Sequence, residues 1–491
     1  MTDDVWIGID LGTQSVRALA VTGNGVQLGS GSRPLTGLRD GVRHEQDPDH
    51  WWQSTSGACR DSLRGVDPRA VRGVAATSTS GTVLLADAAG TPLTTALMYD
   101  DGRAADRVSR INEVGAEVWA ELGYQRVQPS WALPKALWLL EHSRHLGGDV
   151  RLQHQNDFVN HRLVGHEVAA DLSSALKTGA HLVKEDWPHE VFEALGIPED
   201  LLPPLVRSGT LLGTVCAEAA AETGLPLGTP VFAGSTDGCA AQLGAGPLQA
   251  GDWNSVLGTT LVVKGVTHDL VRDPSGTVYS HRAPDGSWLP GGASSTGAGV
   301  ISREFPGADL DLLDQLARDY LPCARIAYPL VSDGERFPFT APEARGFMLG
   351  EAGSPAEHFA AVLQGVALVE RLCFDQLDLL GAPVDGGTLT LTGGASRSRT
   401  WCQLRADVLG RPVTLPENAE PALGMAVLAA GHSSTVAKAA ARMVRVREVL
   451  DPTPGSAGRY DDHYLRLVTE LADRGWLGAD VARHAERRTA R

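Results

Sequence analysis

Two aspartates, Asp10 and Asp237, each end a short apolar, β-rich run where it meets a turn built from Gly and Thr. Four such turns punctuate the chain, at residues 10–15, 234–238, 257–260 and 392–395. Turns of this kind can offer backbone N–H groups and hydroxyls to phosphate oxygens. A carboxylate beside such a cradle suits Mg²⁺ held through water. A second one facing the same place could take a proton from an attacking hydroxyl. Either aspartate alone could equally cap a turn or a helix, and any one turn could be an ordinary hairpin. Their recurrence at equivalent points in two halves favours a nucleotide gripped from both.

Other phosphate-handling motifs are absent. No Gly-Lys dipeptide occurs, so a phosphate loop ending in Gly-Lys-Ser/Thr is excluded. No Gly-x-Gly-x-x-Gly opens a helix after the first strand, and His-Arg-Asp and Asp-Phe-Gly are missing. The pair His142/His145 closes a helix-like segment with no neighbouring Cys or carboxylate set, which argues against zinc.

The elements that must place these groups follow from patterning. Val5–Asp10 and Val16–Thr22 read as the first strands of a meander. Asp47-Pro48 starts a helix carrying Trp51 and Trp52. Val71–Ala76 is a buried strand leading into Thr77–Thr82, followed by a strand at Val83–Asp87. Residues 103–125, 134–146 and 151–165 read as helices. Pro230–Gly234 feeds a turn and a helix at Cys239–Gly244. Near residue 245 the pattern restarts: strand Trp253–Leu257, turn Gly258–Thr260, strand Leu261–Val266. A loop at 291–299, a helix at 356–380, a strand at 388–391, a helix at 400–409 and a close-packed small-residue helix at 421–431 follow. The sequence therefore suggests two α/β domains of duplicated architecture, 1–245 and 246–491.

The chain has 491 residues, enough for two or three domains. Its apolar and charged fractions, 43% and 21%, are those of a globular protein rather than a disordered one. With 59 acidic and 43 basic residues the net charge is −16, a poor balance for binding nucleic acid or an anionic membrane. No apolar stretch is long enough to span a bilayer, and the acidic start lacks the features of a secretory signal, so a cytoplasmic location is expected. The six cysteines are scattered and read as reduced. A homodimer is an option the sequence leaves open.

These motifs resemble the FGGY family of carbohydrate kinases. Ile9–Arg17 is similar to the family's first phosphate loop, and His44–Pro48 with Trp51-Trp52 to its Glu-Gln-x-Pro…Trp segment. Asp100–Arg103 resembles the Asn-Asp-x-Arg sugar motif. Gly234–Gly238 resembles the catalytic-Asp turn, Gly258–Thr260 the second phosphate loop, and Gly393–Ala395 the adenosine loop. The second family signature fits loosely around Gly346–Gln364. The resemblance implies an α/β fold of two duplicated actin/sugar-kinase/Hsp70-like (ribonuclease H-like) domains with an interdomain cleft. It implies ATP and Mg²⁺ as cofactors and a small sugar as substrate. Asp237 would be the general base and Asp10 would orient Mg²⁺ and the reacting groups. Ser80, Gly81 and Asp101 would join these two aspartates around the sugar. Gly12, Thr13, Gln14, Gly258, Thr259 and Thr260 would line the phosphates, and Gly297, Gly393, Gly394 and Ser398 would border the nucleotide. The non-catalytic readings are an actin- or Hsp70-like ATP switch and a sugar sensor.

Ser78-Thr79-Ser80-Gly81 stands where xylulokinases carry Gln-Met-His-Gly, so the hydroxyl of Ser80 replaces an imidazole. Strings such as Ala96–Asp101, Ser174–Gly179, Tyr279–Arg282 and Trp288–Ser294 resemble plant and cyanobacterial D-ribulokinases. They favour phosphorylation of a ketopentose at its terminal hydroxyl, D-ribulose ahead of D-xylulose. Epimers differ by one hydroxyl, and one unpaired polar group is enough to discriminate them. Trp51, Trp52, Trp131 and Trp138 could stack on a sugar, although their helical spacing suits core packing better. Lys135 could reach a phosphate or lie on a solvated helix face.

Overall fold

The computed structural model describes residues 4–143, 149–351 and 353–490. His145 and the end of the 134–146 segment lie outside them. The chain divides into two compact units. The first holds residues 1–248, 281–288 and 418–445; the second holds 249–280, 289–417 and 446–491. Where the sequence suggests one boundary near 245, two later segments thus group with the first unit.

The first unit is built on a six-stranded sheet in the order Leu211–Thr214, Pro230–Thr236, Val71–Ser78, Val5–Leu11, Ser15–Thr22, Gln27–Pro34. The central three strands are parallel, with Asp10 opposite Thr77 and Thr236 opposite Ser78. They are mostly apolar and almost wholly buried because both faces are covered. One face carries the helix Pro48–Ser62, whose Asp47 cap accepts from the Asp49 N–H and whose Pro48 sits at the first position. The other face carries Pro421–Gly431, a helix buried on almost every side. Small residues let it approach closely: a Cβ on Gly8 would lie 1.7 Å from the Ala422 carbonyl oxygen. That packing joins Trp6, Leu19, Ala75 and Phe232 to Met425, Val427 and Leu428 in one apolar cluster, and explains why the segment returns to this unit.

A second sheet of five strands, Leu38–Asp40, Arg43–Gln46, Ala96–Leu97, Val83–Asp87 and Val150–His154, completes the first unit. Here the sequence reading needs correction. Residues 151–165 begin as a strand and become helical only from Gln155 to Val164. The 103–125 stretch breaks into a short turn of helix at 105–107 and the helices Val108–Val114 and Ala116–Glu121. The break falls at Gly115, whose missing Cβ leaves room for the Trp119 indole, 2.3 Å from where that atom would sit.

The second unit repeats the plan. Trp253–Leu257 pairs antiparallel with Leu261–Gly265 and parallel with Leu389–Thr392, as Val5–Leu11 does with Ser15–Thr22 and Val71–Ser78. Its long helix Pro355–Leu379 is capped by Ser354 and runs through the core. The residues read as a loop at 291–299 start as the end of a strand, Trp288–Ala293. Gly291 and Gly292 are there for packing, not turning: a Cβ on Gly292 would meet the Phe337 ring at 2.4 Å. Among the described residues no helix is long and apolar enough to cross a membrane.

Candidate active site

Asp10 and Asp237 both stand at the carboxyl end of the three parallel strands, the end at which open α/β sheets hold ligands. Asp237 is the first residue of the helix Asp237–Ala245 and follows the strand without an intervening turn. It is half-buried, and its Oδ1 accepts the Gly238 N–H at 2.7 Å. Asp10 is close enough to feel that charge. Burial first, then the Asp237 carboxylate, push its pKa up from 3.8 to about 7; Arg17 opposes this and Glu420 adds to it. Arg17 and Glu420 themselves lie 3.8 Å apart.

The first turn, Gly12 to Ser15, closes through the Gly12 N–H on the Ser15 carbonyl at 3.0 Å and leaves Gln14 exposed. Gln46 fastens it from behind. Its Nε2 donates to the Thr13 carbonyl at 2.8 Å, and its Oε1 accepts the Trp51 indole N–H at 2.7 Å. This gives the Glu-Gln-x-Pro…Trp segment a physical task. Trp51 and Trp131 are wholly buried and Trp52 nearly so, so these three rings pack rather than stack on a ligand. Trp138 lies against the Arg103 guanidinium and the His142 ring.

Asp101 is fully buried, and both its oxygens are engaged. Oδ2 accepts from the His44 N–H at 2.8 Å and Arg103 Nη2 at 2.7 Å; Oδ1 accepts from the Arg103 N–H and Nε. Arg103 also pairs with Glu45 at 2.6 Å. The sugar-motif residues thus make a rigid knot. Next to it, Tyr99 is half-exposed and lies within electrostatic reach of Asp100 and Asp237. The sequence reading passed over Tyr99, and its place beside Asp100-Asp101 was the available signal. Gly81 sits at φ +98°, a conformation that favours glycine. The Ser80 hydroxyl oxygen beside it is buried without a hydrogen-bond partner.

In the second unit three Gly-containing turns converge. The Ala298 and Gly299 N–H groups donate to the Gly258 and Thr259 carbonyls, both at 3.0 Å. A Cβ on Gly297 would lie 2.3 Å from the Thr259 oxygen, and one on Gly393 2.6 Å from that of Leu257. Gly258 and Gly394, by contrast, have nothing closer than 4.0 Å on their Cβ side. Thr259 is exposed and Thr260 half-buried. Ser398 caps the helix Arg399–Leu409, accepting the Trp401 N–H at 2.9 Å and donating to Asp314 at 2.5 Å. Glu335, which the sequence reading also missed, is buried and gathers Ser294 Oγ, the Ser295 N–H and the Tyr328 hydroxyl at 2.6–2.9 Å. It thereby fixes the strand end leading into Thr296-Gly297. Burial holds its carboxyl above the usual range.

The stretch that holds Asp10 and Asp237 and the stretch that holds the Gly258–Thr260 and Gly393–Gly394 turns each match part of one family of known proteins. Residues 5–244 fit the N-terminal domain of the FGGY family of carbohydrate kinases, and 253–432 fit its C-terminal domain. The chain belongs to that family. FGGY kinases use ATP as co-substrate, and this protein is a phosphotransferase acting on a sugar. It is 33% identical to a xylulose kinase of Streptomyces coelicolor, over 87% of each chain. It is 27% identical to a xylulose kinase of Bacillus subtilis, over 95% of this chain and 97% of that one. The solved xylulose kinase of Rhodospirillum rubrum superposes with a TM-score of 0.86 at 28% identity, covering 96% of this FGGY kinase and 98% of that chain.

Proposed function

We propose that this kinase transfers the γ-phosphoryl group of ATP to the terminal hydroxyl of a ketopentose, D-xylulose ahead of D-ribulose, giving the 5-phosphate and ADP. The observation that carries the reaction is the pair Asp10/Asp237 at one end of the parallel strands. The names of the relatives favour D-xylulose over the D-ribulose expected from the sequence strings. Asp237 accepts the proton of the attacking hydroxyl. Tyr99, Ser80 and the Gly81 backbone line the acceptor, and Asp101 with Arg103 braces the loop that follows Tyr99. Gly12, Thr13 and Gln14 are the phosphate-binding candidates of the first unit, Gly258, Thr259 and Thr260 those of the second, and Gly297, Gly393, Gly394 and Ser398 the candidates for the nucleoside.

Among the described residues no three His, Cys, Asp or Glu side chains group as a metal cage. Two neighbouring carboxylates suit Mg²⁺ held mostly by water and phosphate oxygens. Asp10 would hold it through water, and the ion would neutralise charge on the phosphates. Asp10 must be ionised for this. Its pKa near 7 lies above that of the unfolded chain, so folding favours its protonated form between about pH 4 and 7, and activity rises as pH climbs through 7. We expect kcat/KM to show a rising limb near pH 7. Glu420→Gln should move it to lower pH and Arg17→Met to higher pH. A limb unmoved by both would disconnect Asp10 from it.

The acceptor is tested by coupled ADP release with D-xylulose, D-ribulose, L-ribulose, glycerol and gluconate. The expected result is the highest kcat/KM on D-xylulose, with D-ribulose second. A polyol or aldonate ahead of both ketopentoses would overturn the assignment. Ser80→His should sharpen preference between the two ketopentoses by about 10-fold, the discrimination available to one polar contact.

A further inference from the structure

Lys135 lies on the helix Ala132–His142, and the structure replaces both sequence readings of it. It neither reaches a phosphate nor lies on a solvated face, because its side chain is wholly buried. Nζ donates to three backbone carbonyls: Gly81 at 3.0 Å, Tyr99 at 2.9 Å and Ser130 at 2.7 Å. An ammonium has three protons, so its donor capacity is used completely. The three carbonyls belong to separate loops, and two of those loops hold Ser80-Gly81 and Tyr99. Lys177 adds a fourth tie, from its Nζ to the Ser80 carbonyl at 3.2 Å.

We propose that Lys135 is a positioning residue for the acceptor sugar, its ammonium fixing the backbone of the Ser80–Gly81 and Tyr99 loops at the spacing the sugar needs. The inference rests on the acceptor reading above. A buried cation is costly, and a Met or Leu would fill the same space without that cost. What an apolar chain cannot do is hold three carbonyls at one point. Burial, and then Lys177, push the Lys135 pKa down to about 7, while Asp101 and Asp100 oppose this. Of the other charged groups on elements packed here, Arg107 pairs with Asp106 and Glu141, and Asp87 accepts the Thr91 N–H. A neutral amine has two N–H groups, so losing the proton leaves one carbonyl without a donor.

The test compares Lys135→Met with the parent enzyme on D-xylulose. The acceptor KM should rise about 10-fold or more while the KM for ATP stays within about twofold, a split that general destabilisation does not produce. An acceptor KM within about twofold of the parent, or both KM values rising together, overturns the inference. If Lys135→Met fails to fold, the parent decides it. Hydrogen exchange between pH 6 and 9, corrected for intrinsic base catalysis, should show peptides covering 79–84 and 98–103 losing protection as pH rises. The helix Gln155–Val164 should not change. Unchanged protection in both loop peptides overturns the inference. Asp237→Asn, assayed alongside, separates the two ideas. Full activity there sinks the acceptor reading itself, whereas a dead Asp237→Asn with a normal Lys135→Met sinks only this inference.

Discussion

Asp237→Asn should lower kcat by about 10²–10⁴-fold, the contribution typical of a positioned general base. The substitution keeps the side chain's size and a carbonyl oxygen to accept the Gly238 N–H, so the start of the helix Asp237–Ala245 should survive. What disappears is the ability to take the hydroxyl's proton. The affinity for a non-hydrolysable ATP analogue, measured by titration calorimetry, should stay within about twofold, because the loss is confined to the transition state. A variant turning over D-xylulose at the parent rate would remove Asp237 from the chemistry.

The second large effect is on stability. Arg405 and Glu370 form an ion pair with both side chains fully buried in the second unit. The guanidinium donates to Glu370 Oε2 at 2.6 Å and Oε1 at 2.8 Å, and to Ser255 Oγ at 2.7 Å. Ser255 lies on the strand that delivers Gly258–Thr260. Arg405→Met should strand the Glu370 carboxylate in the core and cost about 3–5 kcal/mol. Adding Glu370→Leu should recover much of this, because an apolar pair of similar volume avoids the desolvation of two charges. Denaturant unfolding followed by circular dichroism tests both variants. A single Arg405→Met as stable as the parent would show that the pair contributes nothing.

Much of the fold, and the placement of several candidate site residues, can be read from residue order. The placement of Asp10 and Asp237 at strand ends was legible because an acid ending an apolar run beside Gly and Thr is a local signal. The helices at 355–379, 399–409 and 421–431 were legible because capping and periodicity are local too. The roles of Lys135 and Glu335 were not, since burial of a charged group is decided by distant carbonyls and hydroxyls that spacing does not reveal. The glycines at 291–292 misled for the same reason: they mimic a loop but serve the approach of Phe337 to a strand. The helix at 421–431 was recognised as an element, but its attachment to the first sheet depends on the surface around Gly8, more than 400 residues earlier in the chain.

That attachment bears on how the protein is made. A chain emerging from the ribosome has the first sheet's strands by residue 236, yet the helix that covers Trp6, Leu19 and Phe232 arrives only at 421–431. At roughly 5–20 residues per second, the intervening stretch of about 190 residues takes on the order of 10–40 s to synthesise. For that interval the nascent chain carries an uncovered apolar face, the kind of surface chaperones recognise. A shortened product ending before residue 421 would carry it permanently.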